Sequence, residues 1–198
     1  MSRRIQRSPV YLHPERTKQL PFAEIKTILR GADELIGRGG RGLLARILKG
    51  SREKSVLEHG LDQSPVYGHF HDLTIDEITS KIDWLIDHCY LDYEYSGKLP
   101  LLCYSPLGWE IERETYAEEL FDRLCLMASS GERGFDMTFL KDRNREMILL
   151  LLAKLEQRAD ASFLPLLESW KNIDYKKVRQ RIDAVMRKIA SRANPPIQ

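Results

Sequence analysis

Six cations, Arg38, Arg41, Arg46, Lys49, Arg52 and Lys54, fall within one short stretch of the chain. The residues among them are of the kind that receive phosphate. Gly50-Ser51-Arg52 reads as a helix start with Ser51 as its cap, where backbone amides, a hydroxyl and a guanidinium can together hold phosphate oxygens. The glycines at 37, 39, 40 and 42 allow backbone to approach backbone closely. GRGGRG is not a nucleotide-binding loop, because it follows a helix instead of a strand and lacks the Lys-Ser/Thr ending that places a triphosphate and magnesium. Farther along, Ser96-Gly97-Lys98-Leu99-Pro100 offers one cation and one apolar side chain at a turn. Leu99 there is either a wedge against a terminal base pair or a residue that packs back onto its own hairpin, and spacing leaves both open.

Other chemistries find less support. His69 and His71 with Asp72 could imitate a metal site, but alternate loop histidines without a third well-spaced ligand read as turn caps, so no metal is expected. Glu110, Glu112, Glu114, Glu118 and Glu119 lack a companion histidine and read as a solvated helix face. Cys89, Cys103 and Cys125 are odd in number, widely spaced and flanked by apolar residues, which indicates core positions and neither a disulfide framework nor a zinc site. No Ser-His-Asp or Cys-His arrangement has a recognisable spacing. The expectation is a protein that is not an enzyme, with no cofactor and no small-molecule substrate.

The 198 residues suffice for one domain or two small ones, and 42% hydrophobic with 30% charged residues describes an ordinary folded chain. The longest apolar run, Met147 to Ala153, is far short of the roughly 20 residues of a membrane helix. MSRRIQRSPVYLHPERTK has no apolar stretch behind its basic residues, so no secretory signal is read and a cytoplasmic, nucleoid-associated protein with no membrane partner is expected. The net charge of +2 conceals an asymmetry. Residues 1–60 carry 13 Lys/Arg against 6 Asp/Glu, residues 61–137 carry 5 against 16, and residues 138–198 carry 13 against 7. The ends, not the middle, are therefore suited to face a polyanion; the plainer alternative is solvated surface charge.

Residues 1–21 read as a basic arm, with Arg3, Arg4, Arg7, Arg16 and Lys18 among prolines, poorly ordered at its start. From Phe22 a helical pattern runs through Ile25, Ile28, Leu29, Ala32, Leu35 and Ile36 to a break at Gly37. Leu43, Leu44, Ile47 and Leu48 mark a short helix ended by Gly50, and Val56 and Leu57 another, closed by Gly60. Thr74 and Glu77 form a capping box opening a helix over 74–88. Residues 90–95 and 101–105 read as strands joined by the turn SGKLP. Helices followed by such a hairpin form a winged helix-turn-helix domain. The 74–88 helix would be its recognition helix, yet it carries Asp76, Glu77, Asp83 and Asp87 against Lys81, so insertion into the major groove would set like charge against like. Beyond lie a helix over 109–127, a linker at 128–137 and helices over 141–158, 160–171 and 174–191, with Asp160 and Asp174 as caps. In the last helix Val178, Ile182, Val185 and Ile189 face inward and Lys176, Lys177, Arg179, Arg181, Arg187 and Lys188 outward. The fold class is mainly α with a small β-hairpin.

Over residues 22–112 the chain resembles the RQC domain, the winged-helix module C-terminal to the motor in RecQ helicases. The resemblance is carried by LLARILKGS (43–51), REKSVLEHGLDQSPVYG (52–68), ITSKIDWLIDHCYL (78–91) and LLCYSPLGWEI (101–111). It particularly resembles the stand-alone bacterial minor RQC DNA-binding proteins. It implies a DNA-binding role in repair, recombination or replication, with Ser51, Arg52, Lys54, Ser55, Lys98 and Leu99 at the matching positions beside Arg38 and Arg41, and a duplex end, fork or junction as ligand. Neither a P-loop nor the four-cysteine zinc subdomain of many RecQ enzymes is present, so unwinding by this chain alone is not expected. Residues 138–198 more weakly resemble a HEAT-like helical unit, whose basic face would extend the DNA surface or whose helices would dock a helicase or repair protein. The expected organisation is thus an arm (1–21), a winged-helix domain with a trailing helix (22–127), a linker (128–137) and a helical unit (138–198). An interaction adaptor and a winged-helix transcription regulator are the competing readings.

Overall fold

The computed structural model describes residues 7–130 and 134–193. Arg3 and Arg4 of the arm and residues 131–133 of the expected linker lie outside them. The chain forms two compact units, Met1–Glu112 and Arg113–Gln198.

In the first unit, helices α1 (Phe22–Ala32), α2 (Arg41–Lys49), α3 (Lys54–Leu57) and α4 (Ile75–Asp87) precede an antiparallel hairpin, β1 (Leu91–Ser96) and β2 (Leu99–Tyr104). The helical periodicity read through Ile36 tightens into a 3-10 turn at Asp33–Leu35. Ile28, Leu29, Leu44, Leu48, Ile82 and Leu85 are fully buried and join α1, α2 and α4 in one core. Both bonds of the Thr74–Glu77 capping box are present, at 3.2 and 2.8 Å. The amide bond from Thr74 holds the Glu77 carboxyl below its ordinary pKa.

The hairpin turn is tighter than SGKLP. Ser96 pairs with Leu99 and Tyr95 with Pro100, so only Gly97 and Lys98 form the turn. Gly97 takes φ +61, the conformation that lets a two-residue turn match strand twist. Gly37 N–H donates to Leu102 O and Leu102 N–H to Gly39 O, both at 2.9 Å, so the glycine loop is laced onto the free edge of β2.

Helix α5 runs from Pro106 to Ser129, three residues earlier than its apolar spacing implied, because Ser105 Oγ accepts the Gly108 amide at 3.0 Å and Pro106 suits a first helical position. A Cβ at Gly108 would stand 1.9 Å from Tyr90 O. Gly108→Ala is therefore expected to push α5 off the hairpin and destabilise the first unit by about 1–3 kcal/mol or more, readable in urea unfolding. Wild-type stability in that variant would refute the contact.

The division between the two units falls within α5, at Glu112/Arg113, ahead of the stretch read as a linker. The physical reason is burial: Tyr116, Ala117, Leu120 and Leu124 belong to the second core, together with Met137 from within the expected linker. Glu112, read as part of a solvated face, is fully buried, with Oε1 3.9 Å from Nε of the buried Arg30.

The second unit adds α6 (Arg145–Arg158), α7 (Leu164–Lys171) and α8 (Lys176–Ala193). Each starts later than its pattern implied, since Asn144 caps α6 and Asp160 caps a 3-10 turn at Ala161–Phe163. On α8, Ile182, Val185 and Ile189 are fully buried and Val178 partly so. Arg181 and Lys188 turn back to the Glu156 carboxylate instead of facing only solvent. Among the described residues no helix is long and apolar enough to cross a membrane.

Candidate nucleic-acid interface

The sequence groups Arg38 to Lys54 as one cationic surface, and the fold sorts them. Arg41, at the start of α2, directs its guanidinium to Asp83 Oδ1 on α4, and Asp83 Oδ2 accepts the backbone N–H of His13 at 2.9 Å. Asp83 is 1% exposed. Arg41 is thus a structural tie, its charge already met by Asp83 and its side chain 26% exposed, where the sequence had it among the phosphate ligands. Burial pushes the nearby Tyr93 phenol up to about 12, so it is neutral at physiological pH. Arg46 bonds to Glu53 at 2.8 Å and to Gly42 O at 3.0 Å, and Lys49 to His71 O.

Four expected cations remain turned to solvent. Arg38 is exposed between Gly37 and Gly39, whose bonds to Leu102 fix it at the root of the wing. Lys98 is exposed at the wing tip. Arg52 and Lys54 are exposed beyond the other end of α2, Lys54 meeting only its neighbour Glu58 at 3.3 Å. The nine residues of α2 separate the two groups by roughly 13 Å along its axis.

Ser51 is not the cap of α3. Glu53 occupies that position, and Ser51 Oγ accepts the Glu53 amide at 3.2 Å, a local turn that competes with capping. Ser55 is exposed in the first turn of α3. Leu99 is 64% exposed, so most of its side chain is turned to solvent. By register it shares a face with Ser96, Glu94 and Leu101.

Helix α4 is less available than its position suggests. Ile82, Asp83, Trp84 and Leu85 are all buried, so one full turn is enclosed on every side. The enclosing segment includes the arm, which sequence reading left without contacts. Ser8 N–H donates to Lys98 O at 3.1 Å, Tyr95 Oη donates to Ser8 O at 3.1 Å, and the Arg7 guanidinium stacks 4.8 Å from the Tyr95 ring. Residues 14–16 form a 3-10 turn against α4, and Leu20 is buried. Arg7 is in this way an additional cation beside the wing tip. Its only sequence signal was membership of a basic arm, with no hint of the Tyr95 partner.

The remaining candidates resolve locally. His71 Nδ1 meets Gly68 O at 3.1 Å and its Nε2 meets Asp72 at 2.9 Å. Among the described residues no group of three or more potential ligands is placed to hold a metal. Cys89 is exposed at φ +58, and Cys103 and Cys125 are half-buried, so none is a full core position. Burial, with Asp92 and Glu94 nearby, raises the Cys103 thiol.

Three packed helices with a two-stranded wing define the first unit as a winged-helix domain, and its exposed cations and tip are those of a nucleic-acid binder. Residues 22–119 match the family model described as RQC domain, and the chain carries an RQC domain over this stretch. The RQC domain is a winged-helix nucleic-acid-binding domain, not a catalytic one. No curated protein and no solved structure matches the chain.

Proposed function

We propose that this protein binds DNA at duplex ends, forks or junctions without catalysing a reaction, in repair, recombination or replication. Arg38, Arg52, Lys54 and Lys98 take phosphates, and Leu99 abuts an exposed terminal base pair. The observation that carries this reading is the fully buried turn Ile82–Leu85 of α4. The exposed first turn of α4 carries Asp76 and Glu77, which would set like charge against phosphate, and the turn Ile82–Leu85 has no free face, so sequence-specific regulation of the usual helix-turn-helix kind is disfavoured, and the wing with the α2–α3 end is what remains. Phosphate contacts give affinity without sequence preference, and an apolar residue at the tip of a wing favours a place where base stacking ends. Such a protein would act on the nucleoid beside a helicase or repair protein.

Fluorescence anisotropy with blunt duplex, forked duplex and single strand at two salt concentrations tests the proposal. The fork is expected to bind tightest, and Lys98→Ala with Leu99→Ala to weaken it roughly ten-fold near 0.1 M salt. Failure of the wild-type chain to bind any of the three at low salt would overturn the proposal in favour of an interaction adaptor.

A further inference from the structure

The second unit has a cleft of its own. It has a volume of about 420 Å³, with Leu140, Ile148 and Val178 as apolar lining and Arg143, Arg145, Lys176 and Lys177 around it. All four cations are exposed. The two carboxylates in the lining already have partners. Asp142, at φ +62, accepts the Tyr175 hydroxyl at 2.7 Å. Asp174 accepts Trp170 Nε1 and the Tyr175 amide, each at 2.7 Å. Arg143 is partly engaged, its Nε bonding Phe139 O at 3.0 Å and its guanidinium lying 5.3 Å from the Tyr116 ring. Arg145, Lys176 and Lys177 make no ion pair among the described residues. Tyr175 is 61% exposed, so its ring is presented to solvent beside the cleft.

We propose that this cleft binds single-stranded DNA, with backbone phosphates on Arg145, Lys176 and Lys177 and a base stacked on the Tyr175 ring over the apolar lining. The cations alone would suit any polyanion. An apolar lining beside a presented aromatic ring, however, rewards a flat apolar group carried on an anionic backbone, which is an unpaired nucleotide. In duplex DNA the base faces are stacked inside the helix and cannot reach such a surface. The site is separate from the wing and does not depend on the junction reading.

The test uses the full chain with fluorescein-labelled oligothymidylate and, in parallel, a blunt duplex. Lys176→Ala with Lys177→Ala is expected to reduce the slope of log affinity against log salt for the oligothymidylate by about 1.4. Tyr175→Ala is expected to weaken it roughly ten-fold, while Tyr175→Phe, which keeps the ring, retains most of the binding. Blunt-duplex affinity should stay within about two-fold of wild type in all three variants, and circular dichroism should show unchanged melting of these surface variants. Unchanged oligothymidylate binding, or equal loss on both ligands, would overturn the proposal. So would displacement of the oligothymidylate by a short acidic peptide that binds more tightly, which would assign the cleft to a protein partner. A chain that binds oligothymidylate but no duplex or fork would instead refute the junction reading and leave this one standing.

Discussion

Asp83→Ala is expected to destabilise the first unit by about 3 kcal/mol, lowering its melting temperature by roughly 10–20 °C. Asp83 is almost fully buried and serves two donors, the Arg41 guanidinium and the His13 amide. Removing it leaves a partly buried amide without its acceptor and a cation without its counter-charge. The Arg41 side chain is still 26% exposed, so water can recover part of the loss, which places the effect at the low end for a broken buried pair. Asp83→Asn keeps an acceptor for His13 and should lose less. Replacing both partners, Arg41→Met with Asp83→Leu, should return most of the stability, because the desolvation cost disappears with the charges. Thermal and urea unfolding read all three. Melting of Asp83→Ala within about 2 °C of wild type would show that the tie contributes nothing. The same pair bears on function, since Arg41→Ala should reduce stability more than it reduces the salt dependence of DNA binding.

The second large effect is on affinity. If Arg52 and Lys54 each neutralise one phosphate, changing both to Ala removes two released counterions and reduces the slope of log affinity against log salt by about 1.8 for duplex DNA. The corresponding loss is roughly sixty-fold near 0.1 M salt and under ten-fold near 0.3 M. Both side chains are exposed, and the ion pair that Lys54 makes with Glu58 is a solvent-screened neighbour contact. Folding should therefore be unaffected. Titrations at several salt concentrations measure the slope directly. A parallel shift of the line, with no change of slope, would mean that these residues do not touch phosphate. Arg46 and Lys49 provide the comparison, because their charges already meet Glu53 and the His71 carbonyl, and alanine there should change the slope less.

What could be read from residues alone was local or periodic. The capping box at Thr74 and Glu77, the helix end at Gly50, the alternating strands of the hairpin and the inward Ile182, Val185 and Ile189 each depend on neighbours within a turn or a strand pair, and each is present, the strands lengthened toward a shorter turn. The family of the first unit was legible for the same reason, since its motifs are short linked segments. The cationic run from Arg38 to Lys54 was equally plain, but not which of its members face solvent. That depends on partners far away in sequence: Asp83 is 42 positions from Arg41, and His13 is 70 from Asp83. Glu112 likewise looked solvated within its own helix and is buried only because Arg30 of α1 stands against it. The arm, without periodicity, gave no sign that it would run from the wing tip along α4. Charge is a property of a residue, whereas its availability depends on burial and counter-charge, which only the packed chain supplies. Sequence by itself determined a winged-helix domain with cations to offer; tertiary structure decided that the Ile82–Leu85 turn of α4 is enclosed, that Arg41 is tied to Asp83, and that Arg38, Arg52, Lys54, Lys98 and Leu99 face solvent.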